Sequence, residues 1–484
     1  MSEKQSALER FNTYEAVIGI EVHVQLATNT KIFCACPNNP NAEPNSTICP
    51  ICTGYPGVLP VLNEKVIEYA IMAGIGTHST ITSHTEFDRK HYFYPDLPKG
   101  YQITQQRLPI CTDGHVSIRL ENGSVKKIRL IRIHIEEDAG KSTHAGTESF
   151  VDLNRAGTPL LEIVSQPDIA NAFEARAYLK ALRALVQHLG ICSGNMEEGA
   201  FRADTNISVR KKGQSTFGTR VELKNINSFK FISDAIEYEI ERQITAIEAG
   251  HKIRQETRLW DTKEHETVVM RSKEEAADYR YMQEPDLPAI TISAARITDI
   301  QAALPRLPFE LFDYFCAHFG LTPYEAEIIV EDPQLAAYTQ EALTIHPSKG
   351  TVHWILRDIM ELIKNEKISI AQCRITPRHL AELMKLLEAG AINNQGAKQI
   401  FTVIAQTGKH ADALVKELGL EQMGSSDELE SIVDAILAQS SAEVARYKGG
   451  EQKLFGFFVG EAMKATKGKG NPKLLTELFK KKLQ

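Results

Sequence analysis

The chain has 484 residues, 43% of them hydrophobic and 24% charged, with a formal net charge of −7. That balance predicts roughly three globular domains and excludes collagen-like, low-complexity and broadly basic chains. No apolar run approaches the ~18 residues of a membrane span, and the polar first twelve residues do not read as a signal or transit peptide, which predicts a cytoplasmic protein with no membrane partner. Short alternating runs at 17–26, 116–120, 127–135, 206–210 and 219–223 predict strands. Two helical patterns, around 173–188 and 231–249, interrupt them, so the expectation is an α+β body on a mostly antiparallel sheet. After the Pro-rich joint at 284–288 the strand pattern stops. Thr322-Pro323, Thr376-Pro377 and Asn471-Pro472 each place a cap before Pro at a first helical position. Residues 351–365, 378–390 and 398–407 carry helical apolar spacing, and Ser425 with Glu428 forms a capping-box pattern. The predicted division is 1–292, 293–408 and 409–484: an α+β body, an all-helical middle domain and a small helical tail.

The first strand alternates strictly. Ile18, Ile20, Val22, Val24 and Leu26 fall on one face, while Glu21 and His23 stand side by side on the other. Further acids lie at Glu136-Glu137-Asp138, at Glu162 within Leu160–Val164, and at Asp204. Glu162 interrupts an otherwise apolar run, and a carboxylate there is costly to bury without a cation. Carboxylates converging with one His suit Mg²⁺, which takes oxygen ligands and keeps waters for substrate phosphates. The alternative is separate ion pairs with Arg132, Arg155, Arg202 and Arg220. Gly140-Lys141-Ser142 is not a phosphate loop, because Ile135 stands where the first glycine is needed. Residues 88–102 mix Arg89 and Lys90 with aromatics and turn formers; the cations can hold phosphate and the rings can stack on an RNA end, or the segment is a loop plugging the surface.

Cys34, Cys36, Cys49 and Cys52 make two thiol pairs around a short Pro-rich loop, the pattern of a four-thiolate structural zinc site at 34–52. The last 21 residues carry seven lysines, Lys464, Lys467 and Lys469 among them, against the single acid Glu477. Such a tail can contact a phosphate backbone without reading sequence, or it is a solvated helix end.

Taken in order, the segments 14–26 (YEAVIGIEVHVQL), 54–60 (GYPGVLP), 88–96 (DRKHYFYPD), 134–144 (HIEEDAGKSTH), 152–164 (DLNRAGTPLLEIV), 196–199 (MEEG), 222–228 (ELKNINS) and 278–286 (DYRYMQEPD) resemble the GatB/GatE family, the B-type chains of the tRNA-dependent amidotransferase, and the uninterrupted match is to the bacterial and organellar type. The resemblance implies a cradle-shaped kinase body, a helical domain and a YqeY-like tail domain that binds tRNA. It implies a heterotrimer with an amidase subunit, the source of ammonia, and with a small third subunit. The substrates it implies are misacylated tRNA(Gln), tRNA(Asn) or both, with ATP and Mg²⁺, in the cytoplasm or an organelle. The family's Mg²⁺ ligands match Glu21, His23, Glu137, Glu162 and Asp204, the family's lysine matches Lys90, and part of the family binds zinc through the cysteine quartet. Alternation from His134 puts Glu136, not Glu137, on the polar face; following the match predicts that the strand ends or bulges there. No nucleophile elbow is present, so the chain is expected not to hydrolyse glutamine itself. The competing reading is a zinc-stabilised tRNA-binding or assembly subunit without chemistry of its own.

Overall fold

A computed structural model describes residues 13–272, 278–422, 426–466 and 470–483. It divides into two compact units, one ending at Leu311 and the other beginning at Phe312. In chain order the first unit comprises β1 (Tyr14–Gln25), α1 (Glu64–Gly76), β2 (Thr80–Ile81), β3 (His84–Thr85), β4 (Asp88–His91), β5 (Tyr101–Thr104), β6 (Cys111–Thr112), β7 (His115–Arg119) and β8 (Val125–Glu137). There follow β9 (Lys141–Ala145), β10 (Glu148–Asp152), β11 (Pro159–Ser165), α2 (Ala172–His188), β12 (Phe201–Lys211), β13 (Val221–Ile226), α3 (Phe229–Glu248), β14 (Glu256–Asp261), β15 (Glu266–Ser272), β16 (Met282–Gln283), β17 (Ile290–Thr291) and α4 (Ala294–Ala303).

The main sheet runs in the order β15-β14-β13-β12-β1-β11-β8-β6-β2, with β7 also on β8. Every pair is antiparallel except β13 with β14, whose parallel register needs the crossover that α3 supplies. This is the α+β architecture expected from the sequence. β1 lies at the centre because its even-numbered residues are an unbroken apolar row: Ile18, Ile20, Val22 and Val24 are buried in one core with Tyr178, Leu179 and Leu182 of α2 and Ile232, Ile236 and Ile240 of α3. Asn171 and Ser228 cap those helices by accepting from the Glu174 and Phe231 amides. With the helices on the even face, the odd-numbered polar residues line the opposite face.

The second unit is helical. Thr322 and Thr376 cap Pro323–Val330 and Pro377–Glu388 through capping boxes, and Asn471 accepts from the Lys473 amide at the start of Pro472–Leu483; Ser425 lies outside the described residues. The helix expected over 351–365 is interrupted by a π turn, Ile355–Ile359. The wider turn seats buried Asp358 against Lys398 and accompanies a Trp354–Phe401 ring contact at 5.5 Å. One core gathers residues from Leu335 to Val415, and a separate core gathers Leu429, Val433, Phe458, Leu475 and Phe479.

Candidate metal and phosphate-handling site

The polar face of the sheet collects its acids by register, since directly opposed residues share a face. Glu21 is opposite Asp204 of β12, and His23 is opposite Glu162 of β11, which is opposite His134 of β8. Glu136 lies two residues farther along β8, facing the same side. The result is a compact group: one ligand atom from each of His23, Glu136 and Glu162 lies within 4.8 Å of the others. His23 Nε2 is 3.4 Å from Glu162 and 3.6 Å from Glu136, and His134 Nε2 is 3.3 Å from Glu162 and 3.8 Å from Glu136. On the β12 side, Asn206 donates to Glu21 at 3.0 Å and Lys224 pairs with Asp204 at 2.5 Å and Glu222 at 3.3 Å.

Electrostatics mark this as a site where carboxylates, two imidazoles and Lys224 are strongly coupled. Burial and the neighbouring Glu162 and Asp204 charges push the Glu21 carboxyl above its ordinary range, against the pull of Lys224. Burial disfavours charge on His134, but Glu162 and Glu136 outweigh it and raise the imidazole to about 9. Glu162 is held well below the usual carboxylate range because His134 and His23 overcome its burial. Three of the four arginines that could have dispersed these charges are engaged elsewhere, Arg202 and Arg155 approaching Asp138 at 2.8 and 3.6 Å and Arg132 donating to Gln106, while Arg220 lines a cleft beside Glu21.

Glu137 does not join the group. β8 continues in regular register through Glu137, opposite Pro159, so the bulge expected there is absent and strict alternation turns Glu137 to the other side. Its carboxylate takes Lys99 and the Ile103 amide, the latter at 2.9 Å. Glu136, which alternation from Arg132 through His134 puts on the polar face, stands in the group instead, and His134, which the sequence reading used only to count that alternation, stands beside it.

Lys90, on β4, sits under rings, with its ammonium 4.9 Å from the Tyr279 ring centre and 5.8 Å from that of Tyr92. Its neighbour Arg89, read as a phosphate holder, is instead locked in a fork on Glu284 at 2.7 and 2.8 Å, with a third bond to Asp286 at 2.8 Å. That fork and the β16–β4 pairing fasten the segment 278–286 across β4. On that segment Tyr281 meets the Tyr279 ring edge-on at 6.1 Å, and burial, Tyr279 and the charges of Glu162 and Glu136 push its hydroxyl up to about 12, against the pull of Arg132.

The cysteine quartet closes as spacing predicts. Its four sulfurs lie within 4.8 Å of one another, with Cys49 and Cys52 at 3.9 Å, close to the ~3.8 Å edge of a tetrahedron built on 2.3 Å zinc–sulfur bonds. Beneath them Lys31, fully buried, places Nζ 3.6 Å from Cys52 and 3.3 Å from the Leu153 carbonyl. A hydrogen bond from Cys34, the Cys49 amide and the Lys31 charge together lower the Cys52 thiol to about 4, while that shared hydrogen bond pushes Cys34 up and burial pushes Cys36 up to about 11, so the metal-free quartet favours one thiolate, at Cys52. Soft donors, closed geometry and a countercharge for surplus thiolate all fit zinc. The element is stitched to the body by Asn45, whose side chain bonds the Val151 carbonyl and Leu153 amide, and by Asn154, which bonds the Ala42 and Glu43 carbonyls and the Thr47 amide.

Lys464 is exposed at the end of the helix Phe455–Ala465 and pairs with Glu461 at 2.7 Å; Lys467 and Lys469 lie outside the described residues. No helix among the described residues is long and apolar enough to cross a membrane.

Two family models match the chain: one described as the GatB/GatE catalytic domain over residues 16–298, the other as the GatB domain over 337–483. The B subunit of the aspartyl/glutamyl-tRNA(Asn/Gln) amidotransferase of Geotalea daltonii is 52% identical over 477 residues, covering 97% of this chain and 99% of that protein. The proteins of the same name from Geobacter sulfurreducens and Myxococcus xanthus are 50% and 49% identical, each over 97% of this chain and covering 99% and 98% of their own lengths.

Proposed function

The chain belongs to the GatB/GatE family, and from that premise we propose that it activates the side-chain carboxylate of Glu-tRNA(Gln), and of Asp-tRNA(Asn), with ATP and converts it to the amide within a glutamine-dependent amidotransferase. A carboxylate is a poor acyl donor to ammonia because its leaving group is oxide. Attack of a carboxylate oxygen on the γ-phosphorus, with cleavage of the β,γ-bridging P–O bond, gives an acyl phosphate and ADP. Ammonia then attacks the acyl carbon and inorganic phosphate leaves. The ammonia comes from glutamine hydrolysed on a partner amidase subunit, with a small third subunit completing the assembly. The relatives are named as one subunit of their enzyme, which supports a multi-subunit assembly.

The observation that carries this reading is the cluster of His23, Glu136 and Glu162, flanked by Glu21 and Asp204 on the same sheet face. We assign Mg²⁺ to Glu21, His23, Glu136, Glu162 and Asp204. Hard carboxylate oxygens suit it, and the buried Nδ1 of His134, which lacks a hydrogen-bond partner, marks the group as incomplete on its own. When bound, Mg²⁺ neutralises charge on the transferring phosphoryl group. Lys90 adds a fixed positive charge from its cage of Tyr92 and Tyr279. A cleft of 250 Å³ beside Glu21, lined by Asn206, Ser208, Phe217 and Arg220, offers a hydroxyl, an amide and a guanidinium for the nucleotide. Zinc at Cys34, Cys36, Cys49 and Cys52 is structural, since four thiolates leave no open position. We further assign the tail from about residue 409, with Lys464, Lys467 and Lys469, to tRNA contact, and the protein to the cytoplasm.

The test is tRNA-dependent ATP cleavage by the reconstituted trimer carrying Glu162→Gln. We expect a loss on the order of 10³-fold at unchanged tRNA affinity; undiminished turnover would leave the chain an assembly subunit.

A further inference from the structure

A cavity of 550 Å³ opens on the segment that Arg89 fastens across β4, within the roughly 300–1,000 Å³ of small-molecule pockets. Its lining combines aromatic and apolar side chains (Tyr92, Phe93, Tyr279, Met282) with polar ones (His91, Asp278, Arg280). Phe93 is 83% exposed and Met282 47% exposed, so these faces lack the cover that large apolar side chains ordinarily find. The frame behind them is rigid. His91 donates its backbone amide to the Tyr279 carbonyl at 2.9 Å and sets its ring Nδ1 3.0 Å from the Arg280 carbonyl, and Asp278 accepts from the Arg280 amide at 3.0 Å. Arg280 itself is held at φ 45°, a backbone that is strained for a non-glycine residue and is sustained by those bonds.

We propose that this trough holds the unstacked 3′-terminal adenosine of the misacylated tRNA, a subsite that rests on the activating function assigned above. Rings and a guanidinium beside one another are how proteins grip single-stranded RNA bases. Asp278 decides against the adenine of ATP as occupant: a carboxylate on the wall repels a triphosphate tail, whereas it accepts hydrogen bonds from ribose hydroxyls and base amino groups. Position decides likewise. Tyr279 lines the trough, lies 4.9 Å from the Lys90 ammonium, and meets the Tyr281 ring edge-on at 6.1 Å. An adenosine seated here directs its esterified amino acid toward the acidic cluster.

The experiment uses the full trimer and a tRNA(Gln) transcript with 2-aminopurine in place of its 3′-terminal adenine. Stacking in the trough quenches that fluorophore on binding. Phe93→Leu keeps apolar bulk without a π face, and Arg280→Asn keeps the left-handed backbone that Asn tolerates without the guanidinium. Each is expected to remove most of the quench and to raise the KM for Glu-tRNA(Gln) about 5- to 150-fold, the value of one base–aromatic stack, while the KM for ATP moves less than about twofold; Phe93→Tyr restores both. An unquenched parent complex, or variants that quench and bind as the parent does, overturns the subsite, and a rise in the KM for ATP instead reassigns the trough to ATP. A parent complex that quenches yet cleaves no ATP in response to Glu-tRNA supports the subsite and overturns the activating function alone.

Discussion

The two metal-type clusters in the first unit are built on opposite plans. The cysteine site is local: four soft donors within 19 residues, closed on themselves above the buried Lys31. The acidic site is dispersed: donors from β1, β8, β11 and β12, spanning Glu21 to Asp204, meet only because the strands pair in one register. A local cluster reports on the folding of its own loop, whereas a register-built cluster reports on the whole sheet. The first suits a structural ion. The second, left open along a sheet face and lined with hard oxygens, suits an ion that must share its coordination with a substrate.

That contrast can be broken most directly on β8. Glu136→Gln is expected to lower tRNA-dependent ATP cleavage on the order of 10²- to 10³-fold, whereas Glu137→Gln costs about tenfold or less. The latter appears instead as lost stability, about 2–4 kcal/mol by denaturant titration, because Lys99 keeps a largely buried charge without its partner. Equal kinetic losses would mean that the face assignment does not govern function. Next in size, Cys34→Ser should release bound zinc, read by metal analysis, and lower the melting midpoint by about 5–10 °C for a loss of roughly 2–3 kcal/mol, with activity per folded trimer changing less than tenfold. A collapse of activity at unchanged melting temperature would make the zinc site more than structural. The smallest effect concerns the tail. Leu475 and Phe479 are fully buried there, so truncation would unfold its core and the lysines are better neutralised in place. Lys464→Gln, Lys467→Gln and Lys469→Gln together should raise the KM for tRNA about threefold and flatten its logarithmic salt dependence by up to about 3.

The local plan is readable from the sequence almost completely. Cysteine spacing requires only nearby residues, and the caps at Thr322 and Thr376 are equally short-range. β1 can be read because its alternation is uninterrupted, and Glu162 because a lone acid in an apolar run calls for a cation beside it. What cannot be read is the register. Nothing in the local chain says that His134 lies opposite Glu162, that Arg202 and Arg155 are drawn to Asp138, or that Arg89 is used by Glu284 nearly two hundred residues away. The choice of Glu137 failed to anticipate its placement because a matched position was allowed to outweigh side-chain alternation, although the period-2 rule already put Glu136 beside His134. The π turn at Ile355–Ile359 is hidden because its cause, the seat of Asp358 against Lys398, lies in another helix.

The two ends of the main sheet are unlike. At one end β2 has two residues; at the other β15 has seven, and Val268, Val269 and Met270 on it are exposed. An outermost strand offers unpaired backbone groups to any chain that approaches, and a very short one offers almost none. Among the described residues the main sheet therefore offers its longest unpaired edge at β15, with a shorter one at β7, which pairs with β8 alone. A preparation of this chain without its companions is expected to associate first along β15, the longer edge and the one with exposed apolar side chains.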